Sequence, residues 1–351
     1  MGVTISAVST RSRERAISAA LLRWYKASHR DLPWRRTRDP YAIWVSEIML
    51  QQTRVEVVVA YYQRFVERFP TPQALAAAPV EDVLFAWAGL GYYRRARQLH
   101  AAAAQVVREH DGVVPSSDQA LRALPGVGRY TAGAIRSIAF GKAAPIVDGN
   151  VARVLSRVFT LKGRPGETAF EDKLWELAEQ LVPASDPSAF NQGLMELGAT
   201  VCLPRAPRCK ACPLAQECRA HALGQEEAFP RTKPRKATES RSLIAWIVRD
   251  ARGRVLMRKR GEDEQNAGFW EPPLTESEPP APLEEHTRVG EFRHSILNRA
   301  YAIEVRAARA AVSRAPKGHA WIDDNPSRER PFTTVARKAF GLSVGRGKGA
   351  E

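Results

Sequence analysis

The sequence predicts a mainly helical N-terminal region followed by a smaller α/β domain. Three observations carry this prediction. Residues 11–219 are Ala-rich, with apolar side chains recurring at helical spacing between Pro and Gly breaks. Residues 220–240 are polar, carry two prolines and lack periodicity, the pattern of a linker. Beyond them, 243–248, 255–257 and 301–305 have strand composition, and the turn-forming residues 250–253 separate the first two. The expected domains are therefore 1–219 and 241–343, joined by a linker at 220–240 and followed by a flexible, Gly-rich tail at 344–351.

Helices are expected near 11–28, 40–68, 79–86, 92–110, 129–140, 148–158, 168–182 and 186–198. The second opens on Asp39-Pro40, a capping residue followed by proline at the first helical position. The helix near 129 follows a Gly-x-Gly turn, Leu124-Pro125-Gly126-Val127-Gly128, itself preceded by a short helical pattern. The next opens on Asp148, directly before the apolar series Val151, Val154, Leu155 and Val158. Residues 275–285 are rich in Pro and Glu and are expected to form a loop.

The 351 residues are 44% hydrophobic, enough for real cores and too much for a disordered basic tail. No apolar run is long enough to span a bilayer, and no secretory signal is expected. The net charge is +15, with 29 basic and 20 acidic side chains in residues 1–219 and 20 and 15 in residues 241–351. That balance suits a polyanionic partner, though an Arg-rich proteome would give the same excess.

All four cysteines fall in one window, Cys202, Cys209, Cys212 and Cys218, spaced C-x6-C-x2-C-x5-C. Four thiolates in one loop make a complete ligand set for a structural zinc or an iron–sulfur cluster. The wide first gap favours the cuboidal cluster, because zinc usually takes two short Cys-x-x-Cys knuckles. Arg205, Arg208 and Lys210 make this a basic loop able to lie against phosphate.

Two carboxylates stand out. Glu47 shares a helix face with Ile43, Leu50 and Gln51, so it is either an edge residue or a desolvated acid with a raised pKa. Asp148 is placed to cap a helix N-terminus, which by itself explains an Asp and should favour its ionised form. Together they offer one acid and one anion, the division of roles that glycosidic bond cleavage needs. The Gly126–Gly128 turn lies between them and opens a helix, where backbone N–H groups can hold a phosphate.

At these residues the chain resembles a known family. Leu124-Pro125-Gly126-Val127-Gly128, with Asp148 downstream, resembles the helix-hairpin-helix DNA glycosylases. The cysteine spacing is similar to the iron–sulfur loop of their endonuclease III branch. Leu32-Pro33-Trp34-Arg35, Trp44 through Thr53, and Gly89-Leu90-Gly91-Tyr92-Tyr93 resemble the adenine-specific, MutY-type branch. The likeness is dense over residues 20–219 and weaker over 240–340. Bifunctional relatives carry a Schiff-base lysine two residues after the hairpin's last glycine, where this chain has Tyr130.

The resemblance implies a monofunctional glycosylase that removes adenine opposite 8-oxoguanine from double-stranded DNA, acting as a monomer in the bacterial cytoplasm. It implies that Glu47 protonates the base, that Asp148 stabilises the sugar cation, and that Tyr130 and Asn150 support Asp148 and the sugar. Leu32, Trp34, Arg35 and Gln192 would line the adenine pocket, with Gln52, Thr53, Leu90 and Tyr92 near the opposite base. Gly126, Val127, Gly128, Arg205, Arg208 and Lys210 would meet the DNA backbone, and the four cysteines would hold a 4Fe–4S cluster. The C-terminal domain is similar to the family's Nudix-like 8-oxoguanine reader through 254–260 and 268–272. Its usual Phe-Ser-His reads Phe292-Arg293-His294 here. Two other classes compete: a pyrimidine-damage glycosylase/lyase, against which Tyr130 and Glu47 argue, and a non-catalytic iron–sulfur DNA-binding module, which leaves Glu47 and Asp148 without a role.

Overall fold

The computed structural model describes residues 7–231, 239–264, 266–296, 299–323 and 330–344. The expected tail beyond residue 344 and part of the expected linker, 232–238, lie outside these. The chain divides into two compact units, Met1–Ala76 with Ala101–Pro234, and Ala77–His100 with Arg235–Glu351. A piece of the helical region thus groups with the C-terminal residues.

In the first unit, α1 (Ala7–Ser28), α2 (Pro40–Leu50) and α3 (Val55–Arg68) are followed by the short α4 (Pro72–Ala77). The single helix expected over 40–68 is broken at 51–54, where Gln52 adopts a left-handed φ of 56°. Asp39 caps α2, its carboxylate accepting from the backbone N–H groups of Tyr41 (3.1 Å) and Ala42 (3.4 Å). The helices α5 (Val80–Trp87) and α6 (Arg94–Glu109) come next in the chain, α5 and the part of α6 up to His100 belonging to the second unit, and α7 (Asp118–Ala123) and α8 (Arg129–Ile138) of the first unit are joined by the Gly126–Gly128 turn. Gly126 has φ 78°, a conformation that favours glycine.

Three helices complete the core of this unit: α9 (Gly149–Phe159), α10 (Thr168–Leu181) and α11 (Pro187–Thr200). Val151, Val154, Leu155 and Val158 of α9 are buried against Leu174 of α10 and Phe190, Leu194 and Leu197 of α11, with Ile17 and Leu21 of α1 closing the cluster. A Cβ added at Gly198 of α11 would lie 2.5 Å from the Asn150 Cβ, so this glycine lets α9 approach closely. The residues expected to link the domains begin with ordered structure, α12 (Arg219–Ala222) and a 3₁₀ turn at Glu226–Ala228.

The second unit carries a mixed seven-stranded sheet. Its strands are β1 (Glu239–Arg249), β2 (Val255–Lys259), β3 (Trp270–Glu271), β4 (Leu274–Thr275), β5 (Leu283–Ile296), β6 (Arg299–Ala310) and β7 (His319–Ile322). The order β3-β2-β1-β6-β5 places β1 parallel to β6, while β4 pairs with β1 and β7 with β2. Both ends of the loop expected at 275–285 prove to be strand. The hairpin of β5 and β6 contains two register shifts, at 283–285 and 288–290. On one face α13 (Thr334–Val344) buries Val335, Ala336 and Ala339 against Ala245, Ile247, Ile303 and Val305.

Candidate active site

A cavity of about 460 Å³ opens in the first unit among α2, α8, α9 and α11. Glu47 reaches it from the middle of α2, where every residue from Tyr41 to Met49 is buried. Glu47 is 3% exposed, and the Tyr130 hydroxyl donates to its Oε2 at 2.7 Å. Burial pushes the Glu47 pKa up to about 7, helped by nearby Asp148 and opposed by the Tyr130 bond and Arg35. It is therefore a carboxylic acid that keeps its proton close to neutrality, as a general acid must. The same burial, with the two carboxylates beside it, raises the Tyr130 phenol well above its ordinary value.

Asp148 caps α9, its Oδ1 accepting from the Val151 N–H at 2.7 Å and its Oδ2 from the Asn150 side-chain amide at 3.1 Å. These bonds were expected to favour the anion. Burial outweighs them, and the Asp148 pKa is raised rather than lowered. The two carboxylates are therefore shifted in the same direction. The Tyr130 hydroxyl meets Glu47 directly. Asn150 does hold Asp148, and is itself held by Arg153, whose Nη2 donates to Asn150 Oδ1 (2.9 Å) and whose Nε donates to the Cys202 carbonyl (2.8 Å).

Leu32, Trp34, Arg35 and Gln192 line the cavity, as do Gln52 and Thr53. Leu32 and Trp34 also pack in the core, Trp34 meeting Tyr62 edge-on at 5.4 Å. Two further residues were not anticipated. Met195 Sδ lies 3.1 Å from the Tyr130 hydroxyl. Glu196 accepts from Arg35 Nη2 (2.8 Å) and from Arg30 Nε (2.8 Å), and these arginines hold its pKa down to about 2 against its burial. Glu196 stands four residues after Gln192 on α11, so helical spacing alone could have placed it at the same site.

Cys202, Cys209, Cys212 and Cys218 line a second, apolar cavity of the same unit, against Val154, Leu197 and Leu214, and none forms a disulfide. Burial lifts the Cys212 thiol to about 11 and, with Glu226 beside it, the Cys209 thiol to about 12. The bare Cys209 and Cys212 thiols stay protonated, and a cation is what would turn them into thiolates. Arg157 Nη1 donates to Cys202 Sγ at 3.3 Å, a contact suited to a negatively charged sulfur. The donor set thus fits a group held by four thiolates. His221 and Glu226 also bring ligand atoms within 4.8 Å of Cys209. Arg205, Arg208 and Lys210 are exposed on this loop.

Residues 45–180 match the family described as HhH-GPD superfamily base excision DNA repair protein. A human adenine DNA glycosylase is 35% identical over 409 residues, an alignment covering 95% of this chain and 75% of the human protein. The chain belongs to the adenine DNA glycosylase family. The rat adenine DNA glycosylase is 51% identical over 222 residues, 60% of this chain and 43% of the rat protein. Among solved structures, a thermostable thymine-DNA glycosylase superposes with TM-score 0.56 at 34% identity, covering 61% of this chain and 99% of that one.

The other residues expected near the bases in this adenine glycosylase lie in the second unit and do not line the cavity. Leu90 is buried and Tyr92 is 48% exposed, both in the turn between α5 and α6. Phe292, half-buried on β5, lies under the Lys338 ammonium at 5.3 Å. Arg293 is exposed, and its carbonyl accepts from Lys338 Nζ at 3.1 Å. Burial, with Lys338 nearby, lowers the His294 pKa.

Proposed function

We propose that this glycosylase removes adenine mispaired with 8-oxoguanine or guanine in duplex DNA and leaves an abasic site. The observation that carries this reading is the buried Glu47 acid, held near neutral pKa in a cavity that also contains Asp148. The target adenine leaves the base stack and enters the cavity. Glu47 gives its proton to N7, and the C1′–N9 bond breaks with its electron pair leaving on the base. The positive charge growing on the sugar favours ionised Asp148, which stabilises it directly or by a transient bond that water breaks; water adds at C1′ and its proton passes to a carboxylate of the site, which restores the Glu47 acid. The Tyr130 hydroxyl aims the Glu47 carboxyl, and Asn150 aims Asp148. Arg35, fixed by Glu196, faces the base with Leu32, Trp34 and Gln192. No amine stands at position 130 to attack the sugar, so the strand is not nicked.

The same reading gives Cys202, Cys209, Cys212 and Cys218 a 4Fe–4S cluster, which when bound would brace the basic loop. Arg205, Arg208, Lys210 and the Gly126-Val127-Gly128 turn then hold phosphates. The sheet unit is read as Nudix-like, with Phe292, Arg293 and His294 facing the 8-oxoguanine strand and Leu90 and Tyr92 acting as wedges. Gln52 and Thr53 occupy the gap left by the flipped base. Glu271, the acid of the matched segment, is taken by Arg260 at 2.6 Å, which leaves it poorly suited to bind Mg²⁺. The expected setting is the bacterial cytoplasm, on chromosomal DNA.

The test is a panel of duplexes holding adenine opposite 8-oxoguanine, adenine opposite guanine, or thymine glycol. Adenine loss that needs later alkali to cut the strand supports the reading. Cutting without alkali, or borohydride trapping of the enzyme on DNA, would overturn it in favour of a lyase. Binding without base loss would favour a non-catalytic module. The same preparation should be brown and contain iron and sulfide, whereas stoichiometric zinc would overturn the cluster assignment.

A further inference from the structure

The turn between α5 and α6 presents an aromatic ring in an unusual way. Tyr92 is 48% exposed and has a left-handed φ of 49°, between Gly91 (φ 71°) and the start of α6. A non-glycine residue is strained in that region and stays there only when its surroundings dictate it. Arg95, the second residue of α6, is 7% exposed. Its guanidinium carbon lies 5.5 Å from the Trp87 ring centroid and 5.6 Å from the Tyr92 ring centroid. Its Nη2 donates to the Gly91 carbonyl at 3.2 Å, and Trp87 Nε1 donates to the same carbonyl at 3.3 Å. The Arg95 N–H closes the turn on the Tyr92 carbonyl at 2.9 Å. Cations over aromatic faces bind more strongly when desolvated, and burial here lowers the Arg95 pKa to about 10. A Cβ at Gly91 would meet nothing within 4 Å, so dihedral freedom rather than space calls for glycine at that position.

We propose that Arg95 is a positioning residue that holds the Tyr92 ring as a rigid, exposed stacking surface for opening the duplex beside the base opposite the target adenine. Its planar fork bonds Gly91 and its cationic face supports Tyr92, so turn and ring are fixed together. A lysine keeps the charge but lacks the fork. Exposed aromatic wedges open base steps by stacking on the bases they separate, and a ring already fixed loses less freedom on doing so. The functional half of the proposal rests on Tyr92 being a wedge.

The full-length enzyme is compared with Arg95→Met, Arg95→Lys, Tyr92→Ala and Tyr92→Ala/Arg95→Met. Carbon-13 labelling of the tyrosine rings gives a Tyr92 resonance, assigned by its loss in Tyr92→Ala, that reports ring order in the free protein. Single-turnover excision is measured on a paired duplex and on a duplex whose adenine sits unstacked in a bulge. Arg95→Met should shift and broaden the Tyr92 resonance. It should slow excision from the paired duplex on the order of tenfold, the scale of one lost stacking contact, and leave the bulged substrate unaffected. In the Tyr92→Ala background, Arg95→Met should slow it no further, because Arg95 acts only through that ring. Arg95→Lys, the milder change if the Met variant folds poorly, should shift the same resonance. An unchanged Tyr92 resonance in these variants, or losses that multiply in the double variant, would overturn the positioning role. Normal duplex excision by Tyr92→Ala would instead overturn the wedge reading on which the functional half depends.

Discussion

Glu47 combines two properties that are costly together, since it is an ionisable group and is wholly enclosed. In the unfolded chain it titrates near its ordinary value of 4.5, and in the folded chain near 7. Below pH 4.5 both states hold the proton and the shift has no effect on stability. Between 4.5 and 7 the unfolded chain ionises first, so stability falls as pH rises, and above 7 the loss is complete, up to about 3 kcal/mol. Glu47→Gln keeps an acceptor for the Tyr130 hydroxyl and removes that titration. The variant should lose excision while gaining melting temperature relative to the wild type between pH 4.5 and pH 8. A melting difference that does not change with pH would sink the assignment. For the same reason, wild-type single-turnover excision should decline as pH passes about 7 and Glu47 loses its proton.

At the scale of elements, Asp148 is at once the cap of α9 and a wall of the cavity, and two substitutions separate these duties. Asn caps a helix about as well as Asp, whereas Ala costs roughly 1 kcal/mol at such a position. Asp148→Asn should therefore melt near the wild type and lose excision, while Asp148→Ala should lose both. Excision retained by the Asn variant would reduce Asp148 to a structural cap. This double role explains how much of the site was legible in the sequence. Glu47 and Asp148 sit on strong local signals, an apolar stripe and a helix start, and the cysteines announce themselves by spacing. The sign of the Asp148 shift is not legible in the sequence because capping is local and burial is not: α11 must pack against α9 to enclose the carboxyl. Helical spacing from Gln192 puts Glu196 at the site, but its arginine partners come from a segment far away in sequence, so its charge state is not legible there. The break between α2 and α3 contains no Gly or Pro and rests on the left-handed Gln52. The strand β5 is dense in charge and irregular in register, which hides its alternation.

Across the whole molecule, the charge of +15 marks affinity for a polyanion and is silent on which base is read. The grouping of Ala77–His100 with the sheet unit was invisible in the sequence, because it depends on contacts such as Tyr93 packed on Phe269 at 3.8 Å between ring centroids. It puts the Leu90–Tyr92 turn and the Phe292-Arg293-His294 strand in one body. Within that body Arg293 pairs across the sheet with Ala302, a small residue that leaves its side chain exposed, while the nearby Glu291 is engaged by Arg288. An exposed cation of this kind suits a phosphate better than a base edge, because phosphate contacts need charge and reach rather than an enclosed, matched surface. Arg293→Ser should then weaken binding to adenine·8-oxoguanine and adenine·guanine duplexes by the same factor. The slope of log affinity against log salt should fall by about 0.9, the value for one phosphate contact. Arg208→Ser on the cysteine loop should behave alike. If Arg293→Ser instead alters the preference between the two duplexes at constant salt and leaves the slope unchanged, the arginine reads the oxidised base and the phosphate assignment fails.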